Sequence, residues 1–597
     1  MDVQSPHGRV SAWLARLDDA LEARDPKAFA ALFAPDGHWR DLVAFSWNLT
    51  TAEGRESVAE MAAATLDAAR GRAVTLEGEP SETDGVAEAW FSFETEVFRG
   101  RGHVRLKDDG AWTLLTTAQQ LKGHEEPRGP RRPRGVEHGV NPGRETWAEA
   151  RDRETRELGH ERQPYVVIVG GGQGGIALGA RLRQLDVPTI ILERNPRAGD
   201  SWRNRYKSLC LHDPVWYDHL PYIPFPDHWP VFTPKDKLGD WLESYVKVME
   251  LDYWTNAVCR RAAHDPDAGE WTVVVDRDGE EVVLKPKQLV LATGMAGVPN
   301  IPEIPGTEDF EGELHHSSKH PGGEGYEGRR CVVIGSNNSA HDICADLWEH
   351  GAEVTMVQRS STHVSRSETL MELGIGPLYS EEALARGITT EKADLIAASM
   401  PYALQGPRLK GLVAAQKERD RDFYERLEAA GFLHDFGEDG TGLSMKYLRR
   451  GSGYYIDVGA SELVANGSIR LAHGRIARLT ETAVLLEDGT ELPADLVVLA
   501  TGYGSMNGWA AELIGQEVAD RVGKCWGLGS GTTNDPGPWE GELRNMWKPT
   551  RQEALWFHGG NLAQSRHYSR FLALQLKARQ IGLPTPVYGL PEVHHVS

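Results

Sequence analysis

The stretch YVVIVGGGQGGIALGARLRQLDVPTIILE, residues 165–193, decides the fold. It begins with a short β-rich run, passes through a loop in which five of six residues are glycine, and continues into a helical pattern of leucines. A second apolar run, Thr189 to Leu192, then follows. This order of strand, glycine loop, helix and strand is typical of the βαβ unit that binds dinucleotides.

Three glycines of this loop match the pattern G-x-G-x-x-G. Gly170 permits a tight turn, Gly172 lets backbone N–H groups approach a pyrophosphate, and Gly175 allows close packing of the helix. Glu193 ends the second strand, 23 residues after Gly170, where a carboxylate accepts hydrogen bonds from an adenosine ribose. The sequence therefore predicts a first dinucleotide site.

A second cycle of the same kind begins with the apolar run Cys331 to Ile334 and continues into Gly335. Asn337 replaces the second glycine of the pattern, Ser339 lies further along the loop, and Ala340 replaces the last glycine. A small residue is allowed at that last position. Asn tolerates left-handed backbone angles better than most residues, so a second phosphate-binding loop remains feasible.

The residue that selects the nicotinamide cofactor differs between the two cycles. Gln358 lies 23 residues after Gly335, the spacing that places Glu193 in the first cycle. With no carboxylate to repel a ribose 2′-phosphate, and with Arg359 and Ser360 adjacent, NADPH is favoured. Gln358 leaves NADH possible, and an ordinary surface role for Arg359 is the alternative.

The first 120 residues have a different pattern. Apolar residues recur at helical spacing from Val10 to Leu21, and apolar and polar residues alternate from Val86 to Gln119, with a turn at Asp108 and Asp109. Helices followed by an antiparallel meander predict an α+β domain. It resembles the NTF2-like or SnoaL-like cone. Polar groups at His38, Arg40 and Asp41 could line a pocket in such a cone.

The predicted fold class is an α/β flavoprotein with two Rossmann-like dinucleotide-binding domains, preceded by an α+β cone. A segment rich in Pro, Gly and charged residues separates the cone from the rest and reads as a linker. The predicted boundaries are 1–122 for the cone, 123–160 for the linker, 161–325 with 485–597 for the first dinucleotide domain, and 326–484 for the second.

Several short motifs carry a family resemblance. Phe310 to His316 fits F-x-G-x-x-x-H, although His320 stands where the motif expects an aromatic residue, and VLATG (290–294) and VVLATGY (497–503) mark returns between domains. These motifs resemble class B flavoprotein monooxygenases, namely flavin-containing, YUCCA-like and Baeyer–Villiger enzymes, over about 420 residues. Together with the cone, they are similar to the type II flavin-containing monooxygenases.

The resemblance implies that FAD occupies the first site and NADPH, or also NADH, the second. Gly199, Trp202 and Arg203 would lie beside the FAD, and Thr293 and Gly502 belong to the two returns. The predicted cofactor-binding residues are therefore Gly170, Gly172, Gly175, Glu193, Gly199, Trp202, Arg203, Thr293, Gly335, Asn337, Ser339, Gln358, Arg359, Ser360 and Gly502.

By the same resemblance, NAD(P)H reduces FAD, O₂ reacts at the flavin C4a carbon, and one oxygen atom passes to an organic substrate. The outcome would be Baeyer–Villiger oxidation of a ketone or oxygenation of nitrogen or sulfur. His316 is a candidate for the hinge between domains, and His212 and Asp213 for the oxygen-reacting pocket. The alternatives are a flavin reductase or oxidase without oxygen transfer, and a bifunctional protein whose cone binds or isomerises a small molecule.

Composition narrows the remaining possibilities. In 597 residues, 65 basic and 87 acidic side chains give a net charge of −22, which disfavours nucleic-acid and membrane-surface partners. The five cysteines have no paired spacing, which argues against a disulfide framework, a metal site and a dithiol reductase. We expect a cytoplasmic homodimer whose partners are O₂ and a small organic molecule.

Overall fold

The computed structural model describes residues 5–108, 110–136, 138–295 and 298–594, so Asp109 of the predicted turn lies outside the described residues. From the N-terminus, the chain forms a cone, a linker and two dinucleotide-binding domains. The C-terminal residues return to the first of these domains and then reach the cone.

The cone combines three helices with one six-stranded sheet of order β2-β1-β6-β5-β4-β3. Its elements are α1 (Pro6–Ala23), α2 (Pro26–Ala31), β1 (Phe33–Leu42), β2 (Leu49–Glu53), α3 (Gly54–Ala69), β3 (Arg72–Thr83), β4 (Val86–Glu94), β5 (Phe98–Lys107) and β6 (Gly110–Leu121). Burial alternates along β4, as its sequence pattern predicts. Strand β1, which pairs in parallel with β6, was not predicted.

Aromatic side chains fill the interior of the cone. Gly100 and Gly102 lie directly under the rings of Phe93 and Phe91, where a Cβ atom would come within 2.3 and 2.1 Å of the ring atoms. Trp39 packs into the same interior and is fully buried. The cone is therefore built around a packed core.

The linker carries one helix, α4 (Trp147–Glu157), which the composition of the segment did not predict. Thr146 caps its N-terminus, and Glu149 returns the hydrogen bond as the capping box requires. Arg151 donates to Asp252 at 2.7 Å and holds the helix against the first dinucleotide-binding domain.

The first dinucleotide-binding domain contains the parallel strands that the sequence predicts. Its elements are β7 (Val166–Val169), α5 (Gln173–Gln184), β8 (Thr189–Leu192), α6 (Asp200–Arg203), β9 (Cys210–Pro214), α7 (Val215–Asp218), β10 (Phe232–Pro234), α8 (Lys235–Val248), β11 (Tyr253–Trp254), β12 (Ala257–Asp265), β13 (Glu270–Arg277), β14 (Glu280–Leu284) and β15 (Gln288–Leu291). The sheet has the order β11-β8-β7-β15, and Leu555–Phe557 adds a further parallel strand beside β15.

The second dinucleotide-binding domain has a second parallel sheet and a helical insertion, residues 367–450. Its elements are β16 (Glu313–His316), β17 (Arg330–Ile334), α9 (Asn338–Glu349), β18 (Glu353–Gln358), β19 (His363–Arg366), α10 (Ser367–Thr369), α11 (Glu381–Ala385), α12 (Thr390–Ala398), α13 (Gln405–Arg419), α14 (Arg421–Ala429), α15 (Gly442–Arg450), β20 (Tyr454–Asp457), α16 (Ala460–Ala465), β21 (Arg470–His473), β22 (Ile476–Leu479), β23 (Ala483–Leu486), β24 (Glu491–Pro493) and β25 (Leu496–Leu499).

This second sheet corrects the boundaries at 326 and 485. Its order is β16-β25-β17-β18-β21, so residues 313–316 and 496–499, which the sequence analysis assigned to the first domain, belong to the second. Strand β25 lies between β16 and β17 and pairs with both. The VVLATGY segment therefore supplies most of β25, between β16 and β17, and the connection out of the second domain.

The chain then returns through α17 (Asn507–Leu513), α18 (Gln516–Val522), β26 (Leu555–Phe557) and α19 (Leu562–Gln580). Helix α19 packs along α5 and is buried over most of its length. Among the described residues, we find no helix with the length and apolar character needed to span a membrane.

Candidate functional site

The first glycine loop has the geometry that its three pattern glycines require. Gly170 has a φ of +111°, and a Cβ atom there would lie 2.4 Å from the carbonyl oxygen of Ala292. A Cβ at Gly175 would lie 2.0 Å from the oxygen of Gly170, whereas one at Gly172 would meet nothing closer than 3.7 Å. The loop is thus tight at both ends and open in the middle, which fits a pyrophosphate at the start of α5.

Glu193 stands where the sequence places it, at the end of β8. Its carboxylate accepts hydrogen bonds from the backbone N–H of Gly171 at 3.1 Å and from the N–H of Asn195 at 2.8 Å. Burial raises the pKa of this carboxyl from its ordinary value. These bonds fix the carboxylate beside the loop, at the ribose end of a dinucleotide site.

Of the three predicted residues in the loop after Glu193, one lies near the first glycine loop and the other two hold their own loop in place. Trp202 donates from Nε1 to Oε1 of Gln173 at 3.2 Å, which brings it to the first turn of α5. Arg203 instead forms ion pairs with Asp200 and Asp240. A Cβ at Gly199 would lie 2.1 Å from a backbone oxygen of α8. Gly199 and Arg203 therefore have packing and bracing roles, and their predicted contacts with a cofactor stay predictions.

Thr293, in the first return, carries a buried hydroxyl without a hydrogen-bond partner among the described residues. It follows β15, whose last residues lie against Gly170. A buried hydroxyl of this kind is uncommon unless a bound group or water completes it. The hydroxyl therefore fits a contact to a cofactor held on the first loop.

The turn Gly559–Asn561 faces the start of α5 from the other side. Asn561 caps α19 and donates from Nδ2 to the Tyr217 hydroxyl at 3.1 Å. Gln173 donates to the oxygen of Gly560 at 3.4 Å. The Tyr447 hydroxyl accepts from the N–H of Asn561 at 3.3 Å and donates to Gln564. One turn thus joins the first loop, the segment after β9 and the helical insertion.

His212 and Asp213 lie half-buried on β9, just before the short helix α7 that carries Tyr217. Burial raises the pKa of the Asp213 carboxyl, and the nearby His212 opposes that rise. Asp213 in turn raises the pKa of the Tyr217 and Tyr454 hydroxyls, in which burial is the larger cause. The two predicted residues therefore share one desolvated polar cluster with Tyr217 and Tyr454.

The second glycine loop keeps the backbone of the first without its glycine. Gly335 has a φ of +130°. Asn337 has φ −95° and ψ −169°, and Gly172 at the matching position has −75° and −169°. This extended backbone suits any residue, so the left-handed conformation that we considered for Asn337 is not used. Ser339 lies in the first turn of α9, beside Tyr206 of the first domain.

Of the three predicted ribose contacts of the second site, one is buried and the other two line a cavity. Gln358 is fully buried, and its amide both donates to and accepts from the backbone of Leu433, at 2.9 and 2.8 Å. This pairing corrects the prediction that Gln358 faces a cofactor. Arg359 and Ser360 are exposed and line a large cavity beside Gly335.

His316 joins the F-x-G-x-x-x-H motif to the second return. Its Nδ1 accepts from the N–H of Ser318 at 3.1 Å, so Nε2 carries the proton and donates to the oxygen of Gly502 at 3.1 Å. Burial lowers the pKa of His316, which keeps the ring neutral. Its ring also packs edge-on against Tyr503. His316 therefore fixes one connection between the domains.

His320 supplies the ring that the motif expects from an aromatic residue. It is buried and stacks on Tyr326, with ring centroids 6.2 Å apart. Its Nδ1 lies 3.1 Å from Nε2 of His315. Burial lowers the pKa of His320 to about 4. The departure from the motif thus preserves ring packing at this position.

A cavity of about 760 Å³ lies beside the second loop. It extends from the second loop and Arg359 to Met295 and Trp526. Trp526 donates from Nε1 to the oxygen of Tyr447, whose hydroxyl binds the cap of α19. The cavity therefore runs from the second dinucleotide loop to Trp526 and Met506, and a Cβ atom at Gly559 would lie 3.9 Å from the Met506 side chain.

Sequence reasoning missed Tyr447 and Arg450 in this region. Tyr447 lies just before the RRGSGYYIDVG segment, and its contact with Asn561 joins residues 114 apart in the chain. Arg450 lines the cavity and donates to Asn534 at 2.8 Å. No local pattern announces either contact, because both depend on how the helical insertion folds back onto α19.

Two glycine loops with dinucleotide-binding geometry, and a large cavity beside the second of them, define a flavoprotein oxidoreductase that passes electrons from a nicotinamide cofactor to a flavin. Within the described residues, we find no group of histidine, cysteine, aspartate and glutamate side chains placed to hold a metal ion.

Comparisons with known proteins give the family. The family model described as pyridine nucleotide-disulphide oxidoreductase matches residues 167–401. Indole-3-pyruvate monooxygenase YUCCA1 of Oryza sativa subsp. japonica is 31% identical over 343 residues, covering 57% of this chain and 77% of the relative. Probable indole-3-pyruvate monooxygenase YUCCA9 of Arabidopsis thaliana is 32% identical, covering 57% and 75%. The chain belongs to the YUCCA-like family of flavin-dependent monooxygenases.

Solved structures agree on the fold. Cyclohexanone monooxygenase in the loose conformation, bound to ε-caprolactone, aligns with a TM-score of 0.51 and 18% identity, covering 70% of this chain and 88% of that one. The predicted pair of Rossmann-like domains is confirmed. The protein is thus an FAD- and NADPH-dependent monooxygenase.

Proposed function

We propose that this enzyme carries out oxygen transfer to a small organic molecule beside the turn Gly559–Asn561, with FAD on the first loop and NADPH on the second. The observation that carries the proposal is the cavity of about 760 Å³ that links Gly335 and Arg359 to Trp526, next to Tyr447 and that turn. When bound, FAD accepts the hydride and activates O₂, chemistry that protein side chains lack.

The polar cluster of Asp213, Tyr217, Tyr447 and Asn561 would organise this end of the site. Two hydroxyls hold the Asn561 cap from opposite domains, which fixes the N-terminus of α19. Burial keeps Asp213 protonated to higher pH than an exposed carboxyl. A fixed, desolvated polar wall limits the entry of water, which favours oxygen transfer over release of hydrogen peroxide.

At the second site, Arg359 and Ser360 would recognise the 2′-phosphate of NADPH. Both residues line the cavity near Gly335. The neighbouring Gln358 is buried instead, and its amide is hydrogen-bonded to the backbone of Leu433. An arginine forms strong charge-assisted hydrogen bonds to a phosphate. This arrangement supports a preference for NADPH over NADH.

His316 would act as a positioning residue between the two cofactors. Its bond to the Gly502 oxygen ties the strand end at residues 313–316 to the return at residues 500–503. Because the return at residues 500–503 lines the cavity, its alignment with residues 313–316 would set how the domains face each other. A neutral imidazole suits this role, since it donates from one nitrogen and accepts at the other.

Isotope labelling tests the proposal. The holoenzyme is supplied with NADPH and ¹⁸O₂, with methyl phenyl sulfide and cyclohexanone as separate probes. We expect one labelled oxygen atom in the sulfoxide or lactone and the other in water. NADPH oxidation that yields hydrogen peroxide in equal amount, with no labelled product from either probe, would contradict it.

We further propose that the cone is an NTF2-like domain with a docking role, and that the enzyme is a cytoplasmic homodimer. The packed aromatic interior of the cone supports docking over catalysis there. The carboxylate of Asp41 accepts hydrogen bonds from Ser46 and Thr116, and the side chain of Arg40 points into the monooxygenase body. The pocket predicted from His38, Arg40 and Asp41 is therefore corrected. The free cysteines Cys210, Cys259, Cys331, Cys344 and Cys525 support a reducing compartment.

A further inference from the structure

The strongest contact between the cone and the monooxygenase body is a buried arginine. Arg40, on β1, is 1% exposed and forms a bidentate ion pair with Glu542, with distances of 2.6 Å from Nε and 2.7 Å from Nη2. Its Nη1 donates to the oxygen of Ala398 at 2.7 Å. Its Nη2 also donates to the Tyr568 hydroxyl at 3.2 Å. One guanidinium thus binds the loop before β26, the helical insertion and α19 together.

The contacts continue from Arg40 to the turn that faces the flavin site. Tyr568, seven residues after Asn561, stacks on Trp547 with ring centroids 3.9 Å apart and planes within 8°. Trp547 donates from Nε1 to the oxygen of Gly559 at 3.1 Å. Every step in this series is a direct contact between buried groups.

A second series of contacts begins at the helical insertion. Arg40 binds Ala398 at the end of α12, and Asp394 on the same helix pairs with Arg566 at 2.8 Å. Arg566 donates to the backbone oxygens of Tyr217 and His219 at 2.6 and 2.7 Å. The same cone residue therefore contacts both helices that hold Tyr217 and Asn561 in place.

We propose that Arg40 is a positioning residue for the FAD site, through which the cone sets the placement of the turn Gly559–Asn561. The inference rests on the proposed function in one respect, namely that this turn borders the flavin. The planar guanidinium suits the task because its fixed donors reach four separate oxygens on three segments. A flexible ammonium group cannot hold that arrangement.

The test compares variants of the full-length holoenzyme. R40M/E542M removes both charges, so neither is left buried without a partner. R40K keeps the charge opposite Glu542 but loses the bidentate geometry, and serves if the double variant does not fold. The matched control is R105M, because Arg105 also joins the cone to the insertion, through the Ser399 oxygen at 3.2 Å, without touching α19.

The readouts are the visible circular dichroism of bound FAD and the dissociation constant of FAD. We expect R40M/E542M and R40K to change the flavin dichroism and to weaken FAD binding by about 10-fold, within the range of coupling between linked sites. R105M should leave both unchanged. Folded Arg40 variants with wild-type dichroism and FAD affinity would overturn the proposal, as would equal changes in R105M.

These readouts need no oxygen transfer. A failure of the isotope-labelling experiment would count against the proposed function while the dichroism result for Arg40 stands. Conversely, normal labelling with unchanged dichroism in the Arg40 variants would count against the positioning role alone. The hydrogen peroxide formed per NADPH consumed adds a check, since a displaced turn should raise it.

Discussion

At the scale of single residues, the chemistry of this enzyme depends on side chains whose neighbours are distant in sequence. Gln358 and Arg359 are adjacent in the chain, yet one is buried against Leu433 and the other lines the cavity. Both residues were predicted to contact the ribose, because spacing in the sequence does not show which side chain a distant loop will bind. The amide of Gln358 is satisfied by a backbone segment 75 residues away.

Arg359→Ala tests the nicotinamide preference. Loss of charge-assisted hydrogen bonds to the 2′-phosphate should raise the KM for NADPH by about 10- to 100-fold, which corresponds to about 1.5–3 kcal/mol. The KM for NADH should change little. Steady-state kinetics with both cofactors measures the ratio. Arg470→Ala is the control, because Arg470 is exposed and pairs with Glu353 on β18. An equal effect on NADH would refute the assignment.

Tyr447→Phe tests the polar wall of the site. The substitution removes the acceptor of the Asn561 N–H and the donor to Gln564, so the cap of α19 loses its link to the helical insertion. We expect a larger fraction of consumed NADPH to appear as hydrogen peroxide, while FAD content stays near wild type. Peroxide and product assays on the same reaction give the fraction. An unaltered fraction would show that this link does not exclude water.

At the scale of elements, the glycine loops show what a motif can and cannot predict. The strand, loop and helix around Gly170 were predicted in full because each step has a local signal. Asn337 shows the limit of such reasoning. Its backbone angles nearly equal those of Gly172, so neither position has a backbone conformation that only glycine adopts.

Gly175→Ala tests the tight end of the first loop. The new Cβ would lie 2.0 Å from the oxygen of Gly170, so α5 must move away and the pyrophosphate cradle must open. We expect loss of most bound FAD, measured by flavin absorbance per protein. Gly411→Ala is the matched control on exposed α13, where a Cβ meets nothing within 4 Å. It should stabilise the fold by about 0.5–1 kcal/mol. Full FAD occupancy in Gly175→Ala would argue against the cradle.

The order of the second sheet was beyond the reach of the sequence. Strand β25 lies between β16 and β17, although it follows β17 by more than 160 residues. Its apolar run predicts a buried strand, but nothing local states which sheet receives it. The same holds for β1 of the cone, where the polar residues His38, Arg40 and Asp41 conceal a strand that pairs with β6.

At the scale of the whole molecule, the folded enzyme keeps several histidine rings buried and neutral. Burial lowers the pKa of His341, His363 and His434 to about 4, from an ordinary value of 6.5. His320 shows the same shift. These four rings are neutral in the folded protein at pH values where an unfolded chain would protonate them.

The stability of the enzyme should therefore fall with acid. Each of these histidines binds a proton in the unfolded chain below pH 6.5 but not in the folded protein until pH about 4. Their contribution is complete above pH 6.5 and is lost progressively between 6.5 and 4, by up to about 1.4 kcal/mol per pH unit for each. Urea unfolding across this range measures the slope.

His320→Phe provides the comparison for that prediction. The phenyl ring keeps the stacking on Tyr326 and removes one titrating group, so the loss of stability with acid should be shallower than in the wild type. An identical slope in the variant would show that His320 does not contribute to the acid sensitivity.

We propose that electrons pass from NADPH to FAD and that one oxygen atom then passes to substrate within a site closed to water. The most direct test of this proposal is stopped-flow absorbance after mixing the NADPH-reduced holoenzyme with O₂, with O₂ consumption and hydrogen peroxide followed in parallel. We expect O₂ to disappear before the absorbance of oxidised FAD returns, and methyl phenyl sulfide to speed this return. Simultaneous return of oxidised FAD with one hydrogen peroxide for each NADPH would contradict it.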